Sequence, residues 1–259
     1  MIILEIENLQ KSYDNNIPVL CGINLAVNRG EFVGIIGLSG SGKSTLLRCI
    51  NRLIEPSSGH IRVPAVLITR NGAGNLVDVV RLNQFELRRL RRKIGMIFQQ
   101  FNIVKRLSVI ENVLSGGLGY QSPLRSTLRS FTRDEKRKAL TNLHRVGLLD
   151  HAYRRADELS GGEQQRVAIA RTLMQEPALI LADEPVSSLD PKLSSIVLDI
   201  LKRVCQEDGI TALVSLHTLE LTREYAARVV GLKNGRVSFD GTCDELTAPV
   251  VQAIYHNEL

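Results

Sequence analysis

The stretch Gly37-Leu38-Ser39-Gly40-Ser41-Gly42-Lys43-Ser44-Thr45 sets glycines, a lysine and hydroxyl side chains at the spacing G-x-x-x-x-G-K-[ST]. Each residue type has a use against a polyphosphate. Gly37, Gly40 and Gly42 accept positive φ and close approach, so the N–H groups of Ser39, Ser41 and their neighbours can turn inward on an anion. Lys43 reaches the outer phosphates and the Ser44 hydroxyl ligates Mg²⁺ in such a loop. A helix starting at Lys43 would add the partial positive charge of its N-terminus, with Thr45 in its first turn. A chance Gly/Ser-rich turn has no need of an apolar strand before it or a helix after it. Here Glu31-Phe32-Val33-Gly34-Ile35-Ile36 supplies the strand and residues 43–51 the helix. The stretch therefore predicts a nucleoside-triphosphate site.

Such a site needs carboxylates, because Mg²⁺ wants oxygen support and the attacking water wants a base. Leu179-Ile180-Leu181-Ala182-Asp183-Glu184 delivers two at the C-terminal end of an apolar run, where α/β folds place ligands. Asp183 is the candidate metal ligand, acting through water. Glu184 is the candidate general base, a role worth about 10²–10⁴-fold in rate. On their own, these could equally be two solvated carboxylates after a buried strand. A third motif, Leu159-Ser160-Gly161-Gly162-Glu163-Gln164-Gln165-Arg166, opens another helix. Capping explains Ser160 and Glu163, but paired glycines cost helix stability. Ser160, Gly161 and Gly162 thus read as a second anion-binding helix start, which suggests a composite nucleotide site.

The elements that must position these residues alternate strand and helix. Strands are expected over 2–10, 19–27, 31–36, 60–63, 94–98, 178–182, 210–215, 228–231 and 237–239. Helices are expected over 43–51, 84–93, 161–175, 190–206 and 219–227. Asp190-Pro191 is an N-cap followed by proline at the first helical position. Asn234-Gly235 predicts a hairpin turn between the last two strands, and Thr242 with Glu245 a cap on a final short helix. Residues 64–80 read as a surface hairpin with its turn at 70–75. Residues 101–160 read as a helical insertion, with Ser108/Glu111 and Thr132/Glu135 at capping-box spacing and a loop over 116–130. The alternation argues for an α/β fold with a largely parallel sheet.

Composition narrows the class. The 259 residues suffice for one large or two modest domains, and 44% hydrophobic with 23% charged residues is an ordinary globular balance. Four cysteines, at 21, 49, 205 and 243, have no metal-site spacing and suit a reducing compartment. No apolar run reaches the ~18–20 residues of a membrane helix, and the start lacks the basic region of a signal peptide. The net charge of +6 favours anionic partners only weakly. Five of the six residues at 88–93 are basic, which reads as a solvated helix face or, more sharply, as a phosphate or lipid contact.

The motifs at 37–45, 159–163 and 179–184 resemble the Walker A, signature and Walker B motifs of ABC-type ATPases, and the resemblance runs along essentially the whole chain. It implies an ABC-type P-loop NTPase: a mainly parallel core sheet, an antiparallel β subdomain and a helical subdomain. A single ABC ATPase domain would occupy 1–246. Its core and β subdomain would lie at about 1–100 and 161–246, its helical subdomain at about 101–160, and 247–259 would form a tail. By the same resemblance Tyr13 stacks on adenine, a contact worth about 1–3 kcal/mol if it behaves like base stacking elsewhere. Gln99, with Gln100 as competitor, senses Mg²⁺ and the membrane partner. Ser188-Leu189-Asp190 crosses a dimer interface, and His217 sits near the γ-phosphate. Two copies would sandwich two ATP molecules, each between one copy's phosphate loop and the other's Ser160-Gly161-Gly162.

With no membrane segment fused, the chain resembles a stand-alone importer subunit. It would sit peripherally on the cytoplasmic face of the plasma membrane, with separate permease subunits and a periplasmic or lipid-anchored binding protein. Residues 98–114, with 216–217 and 228–237, resemble the ATPase of phosphonate importers, a pattern that phosphite importers largely share. Polar amino-acid and methionine importers share parts of it and remain alternatives, and residues 64–80 depart from the compact form expected there. A non-transport ABC ATPase acting on a cell-envelope partner would carry the same motifs. A nucleic-acid role is not expected, since there are no sustained heptads and only one cassette.

Overall fold

Apolar residues dominate three strands, β3 (Phe32–Ile36), β7 (Leu179–Ala182) and β8 (Thr211–Ser215), and every residue in them is buried. Such runs belong to parallel sheets covered on both faces. The computed structural model, which describes residues 1–13, 17–69, 75–122, 125, 127 and 130–255, places them side by side at the centre of a sheet. Its order is β10-β9-β3-β8-β7-β6, with β6 at Ile94–Ile97, β9 at Arg228–Lys233 and β10 at Arg236–Thr242. All neighbours are parallel except the β9–β10 hairpin. A second, antiparallel sheet has the order β2-β1-β4-β5, from β1 (Ile2–Tyr13), β2 (Ile17–Asn28), β4 (Ser58–Pro64) and β5 (Leu76–Asp78). This is the α/β class the sequence implied.

Strand periodicity divides the core. Ile180, Ala182, Ala212 and Val214 face one apolar cluster, while Leu179, Leu181, Leu213, Val33 and Ile35 face the other. The first cluster takes in α3 (Val109–Ser115), α4 (Arg133–Arg145), α5 (Gly161–Leu173) and α6 (Pro191–Asp208). The second holds α1 (Lys43–Ile50), α2 (Gln84–Lys93) and the antiparallel sheet. Ile36, Val229 and Leu246 form a third cluster with Ile254 of the last helix, α8 (Ala248–Tyr255). α7 (Leu219–Tyr225) follows β8. Capping boxes at Asn83/Glu86, Ser108/Glu111, Thr132/Glu135 and Ser160/Glu163 satisfy the starts of α2 to α5. Asp190 accepts from the Leu193 amide to start α6, with Pro191 next to it.

The structure corrects several readings. Thr242 and Glu245 do bond, at 2.7 Å to the Thr242 amide, but they close a turn. The helix waits until Ala248, after Leu246 has been buried in the third cluster. The 64–80 hairpin is real in its β4–β5 pairing, Pro64 opposite Leu76. Most of its predicted turn, 70–74, lies outside the described residues. Within the expected 116–130 loop, residues 118–120 form a 3-10 turn, and 123, 124, 126, 128 and 129 are outside the description. The basic run on α2 is not wholly solvated. Arg91 donates to the carbonyls of Asn51 (3.0 Å) and Arg52 (2.6 Å) at the end of α1, and burial beside Arg52 lowers its pKa. No helix among the described residues is long and apolar enough to cross a membrane.

Because Leu143 of α4 is fully buried in the same cluster as the sheet residues Ile180 and Val214, the helical insertion shares its core with the sheet. Leu143→Ala is expected to cost about 2–5 kcal/mol. The loss should appear in one urea transition that coincides by far-UV circular dichroism and tyrosine fluorescence. Two separated transitions would show an insertion that unfolds by itself.

Candidate active site

Four adjacent parallel strands, β3, β8, β7 and β6, end along one edge of the sheet. The chain leaves β3 into Gly37, β8 into Leu216-His217, β7 into Asp183-Glu184 and β6 towards Gln99. The register holds them level: Ile35 lies opposite Ser215, Val214 opposite Ala182, and Ala182 opposite Ile97. Residues scattered over more than 170 positions of sequence therefore meet.

The phosphate loop needs its glycines. Gly37 has φ +146, and a Cβ there would lie 2.2 Å from the Leu232 carbonyl oxygen. Gly42 has φ +105, with Leu20 Cδ2 2.8 Å from where a Cβ would be. Gly42 is also the N-cap of α1, and it offers no side-chain acceptor to the first turn. Where α2 to α6 spend a side chain on this task, α1 leaves its leading N–H groups for a ligand. Lys43 is only 4% exposed; its Nζ donates to the carbonyls of Gly37 (2.8 Å) and Leu38 (3.0 Å). Burial lowers its pKa, against the pull of Glu184 and Asp183.

The carboxylates stand opposite. Asp183 is buried; one oxygen accepts from Ser44 Oγ at 2.7 Å and the other from Arg48 at 3.0 Å. Ser44 and Arg48 are four apart on α1, so both face the same way. Glu184 has φ +51, a left-handed value costly for a non-glycine residue, and Ser215 Oγ accepts from its amide at 2.7 Å. The Nε2 of His217 lies 2.6 Å from Glu184 Oε1. A cleft of about 470 Å³ is lined by Ser39, Gly40, Gly42, Lys43, Ser44 and Thr45 on one side. Gln99, Glu184 and His217 line it as well. Gln100 does not. Tyr13, at the exposed end of β1, has its hydroxyl 3.5 Å from Thr45 Oγ1 and leaves its ring partly open to solvent. Ser41 is buried with its Oγ unpartnered, and its N–H, expected to turn on an anion, instead donates to the Leu38 carbonyl at 3.1 Å and closes a turn within the loop.

Hard cations such as Mg²⁺ take oxygen ligands and keep several waters when they bind with substrate phosphates. The Ser44 hydroxyl and the Asp183 carboxylate meet directly and fit that donor set, with Gln99 in the same cleft. Among the described residues no group of three or more His, Cys, Asp or Glu gathers to hold a metal alone.

Ser160, Gly161, Gly162 and Asp190 line none of this cleft. Ser160 Oγ is engaged with Glu163 at 2.7 Å. A Cβ on Gly162 would lie 3.3 Å from Leu193, and one on Gly161 3.4 Å from Leu189. Close approach of Leu193 on α6 thus gives Gly162 a packing reason that the sequence did not reveal, while the space at Gly161 would admit a Cβ in ordinary contact. Sequence reasoning also missed Arg48 and Ser215, which hold Asp183 and Glu184 in place. The four-residue spacing of Ser44 and Arg48 was a usable signal for the first; the second had none.

With the geometry described, comparison with known proteins is informative. The family model described as ABC transporter matches residues 20–187. A phosphonates import ATP-binding protein of Oceanobacillus iheyensis is 49% identical over 98% of this chain and 96% of its own. A counterpart in Shouchella clausii is 50% identical over 97% and 91%. Among solved structures, the dimeric post-hydrolysis state of the ATP-binding cassette MJ0796 with ADP and Pi superposes at a TM-score of 0.76, with 33% identity, covering 93% of this chain and 99% of its own. The ADP conformation of the cassette MJ1267 gives a TM-score of 0.80, with 28% identity, covering 98% and 95%. The chain belongs to the ABC transporter family, as one of its ATP-binding cassettes.

Proposed function

We propose that this cassette is the ATP-hydrolysing subunit of an importer for phosphonates. The observation that carries the reading is identity near one half, over almost the whole of both chains, with proteins named for phosphonates import. The ATPase part rests on the cleft itself. Lys43 and the amides of the loop and of the first turn of α1 bind the β- and γ-phosphates, and the ring of Tyr13 supports the adenine. Mg²⁺, held by Ser44 and Asp183 with Gln99 beside them, would neutralise phosphate charge. Glu184 takes the proton of the attacking water, and His217 orients Glu184 through the 2.6 Å contact. Phosphoryl transfer asks for positioning and charge stabilisation more than covalent help.

Ser160, Gly161, Gly162 and Asp190 act in a second copy of the chain. Each copy's α5 start closes on the other's phosphate loop, so ATP joins the dimer and hydrolysis opens it. The cassette works at the cytoplasmic face of the membrane beneath separate permease subunits, and a substrate-binding protein delivers the cargo from outside.

Glu184→Gln is expected to keep ATP affinity, accumulate an ATP-bound dimer in size-exclusion chromatography, and lose about 10²–10⁴-fold in turnover. Turnover like the wild type would remove Glu184 as the base. Lys43→Ala should weaken nucleotide binding itself, read by titration with a fluorescent ATP analogue, and unchanged affinity would contradict the role given to Lys43. The cargo is tested by growth on methylphosphonate or phosphite as sole phosphorus source, in a strain carrying the neighbouring permease and binding protein and no redundant uptake system. Deleting the gene should abolish growth, and wild type but not Glu184→Gln should restore it. Undisturbed growth would leave an ATPase with a different cargo.

A further inference from the structure

A second cavity, of about 330 Å³, lies between α2, the end of α3 and the turn after α5. Arg88, Arg91 and Arg92 line it from one face of α2, facing Tyr120 and Gln175, and no Asp or Glu is among the lining residues. Like charges at i, i+3 and i+4 repel. Two of the three have some compensation. Arg91 is engaged with the carbonyls that end α1, and Arg91 and Arg92 both sit in the last turn of α2, where the helix dipole favours cations. That leaves two facts unexplained. Arg88 is exposed and has no ion-pair partner among the described residues. Arg92 stacks its guanidinium 5.2 Å from the Tyr120 ring centre, and its Nε is buried with no acceptor. A buried donor left without an acceptor loses its water and gains nothing in exchange. The nearby carboxylate Glu176 is paired with Lys138 Nζ at 2.6 Å and does not relieve it.

We propose that this cavity is a second anion site, distinct from the nucleotide cleft, which takes a phosphate- or phosphonate-type dianion between Arg88 and Arg92. A tetrahedral oxyanion suits two guanidinium groups, each of which can present a pair of parallel N–H donors. Turning the Arg92 guanidinium toward the cavity gives its Nε the acceptor it lacks. Gly119 lines the cavity beside Arg92, where a Cβ would lie 3.4 Å from Arg92 Cγ and 3.9 Å from that Nε. Water occupies about 30 Å³ per molecule in the liquid, so the cavity has room for the anion, a short organic substituent and several waters. The lining shares no residue with the ATP cleft. The site's meaning, though not its chemistry, rests on the proposed function: an importer for phosphonates would have a place to register that compound class, or phosphate released from it, on its ATPase.

The test uses the purified full chain with its nucleotide cleft filled by Mg-ADP, titrated calorimetrically with methylphosphonate and with inorganic phosphate. Saturable binding of one anion per chain is expected, weakened about tenfold or more by Arg88→Gln or Arg92→Gln, the scale of one charge-assisted hydrogen bond. Arg92→Lys should recover part of the loss. Unchanged Mg-ADP affinity and melting temperature would show that each variant is folded, and the exposed Arg88 gives a variant with little to disturb. Cosedimentation with phosphatidylglycerol vesicles forms the third arm. Vesicle binding that the same substitutions abolish, without binding of the soluble anions, would assign the site to a lipid headgroup. No binding in any arm, or equal affinity in wild type and variants, would overturn the proposal. A failed growth test with intact anion binding would remove the cargo and leave the site.

Discussion

An ammonium group taken out of water must be met by fixed dipoles or charges, and how Lys43 is met governs the site. Two carbonyls of its own loop, from Gly37 and Leu38, hold the Nζ. To bring them there the backbone must coil around the side chain with φ of +146, +80 and +105 at Gly37, Gly40 and Gly42. The same coil puts Ser39, Gly40, Gly42 and Lys43 on the wall of the cleft, so a single constraint both holds the cation and shapes that wall. The loop can hold that shape only if its ends are fixed. β3 anchors one end at the centre of the sheet, and α1, packed by Leu46, Leu47 and Ile50, anchors the other.

The opposite wall follows from the sheet. Parallel strands in register end level, and the next residue of each is free to leave the sheet. That is why Asp183, Glu184 and His217 come to one edge of the sheet. Glu184 still requires help, since a left-handed φ on a glutamate persists only where the surroundings over-determine it. Ser215, the last residue of the neighbouring strand, supplies it by accepting from the Glu184 amide.

Much of this was legible because it is local. Glycine at positive φ, a lysine at the helix start and carboxylates after an apolar run are all written within a few residues, as were the capping boxes of α3 to α5. What could not be read depended on partners far along the chain. Gly162 answers to Leu193, Arg91 to the end of α1, and Leu246 to a cluster that also needs Ile36. Thr242 and Glu245 show the limit of local signals: their bond forms as expected, yet it closes a turn because burial of Leu246 decides where the backbone goes next. In residues 64–80 the hairpin pairing was legible, but not that Ile68 and Val79 beside it are buried in the second cluster.

The segment after β6 connects the cleft to α5. Gln99 lines the nucleotide cleft and also a neighbouring groove of about 590 Å³ bounded by Val186, Leu189 and Leu221. Two residues on, the carbonyls of Phe101 and Asn102 accept from Arg171 of α5, whose burial lowers its pKa. Among the described residues this half-buried guanidinium has no carboxylate partner and depends on those carbonyls, so α5 and the 99–102 segment cannot separate cheaply. α5 is the helix that Ser160 opens, and Phe101 packs beside Gly161 at its start. The Gln99 segment is therefore tied to the helix that carries Gly161 and Gly162, neither of which lines the cleft. The cleft and the Ser160-Gly161-Gly162 motif are distant in sequence and do not share a pocket, but the hydrogen bonds of Arg171 join them.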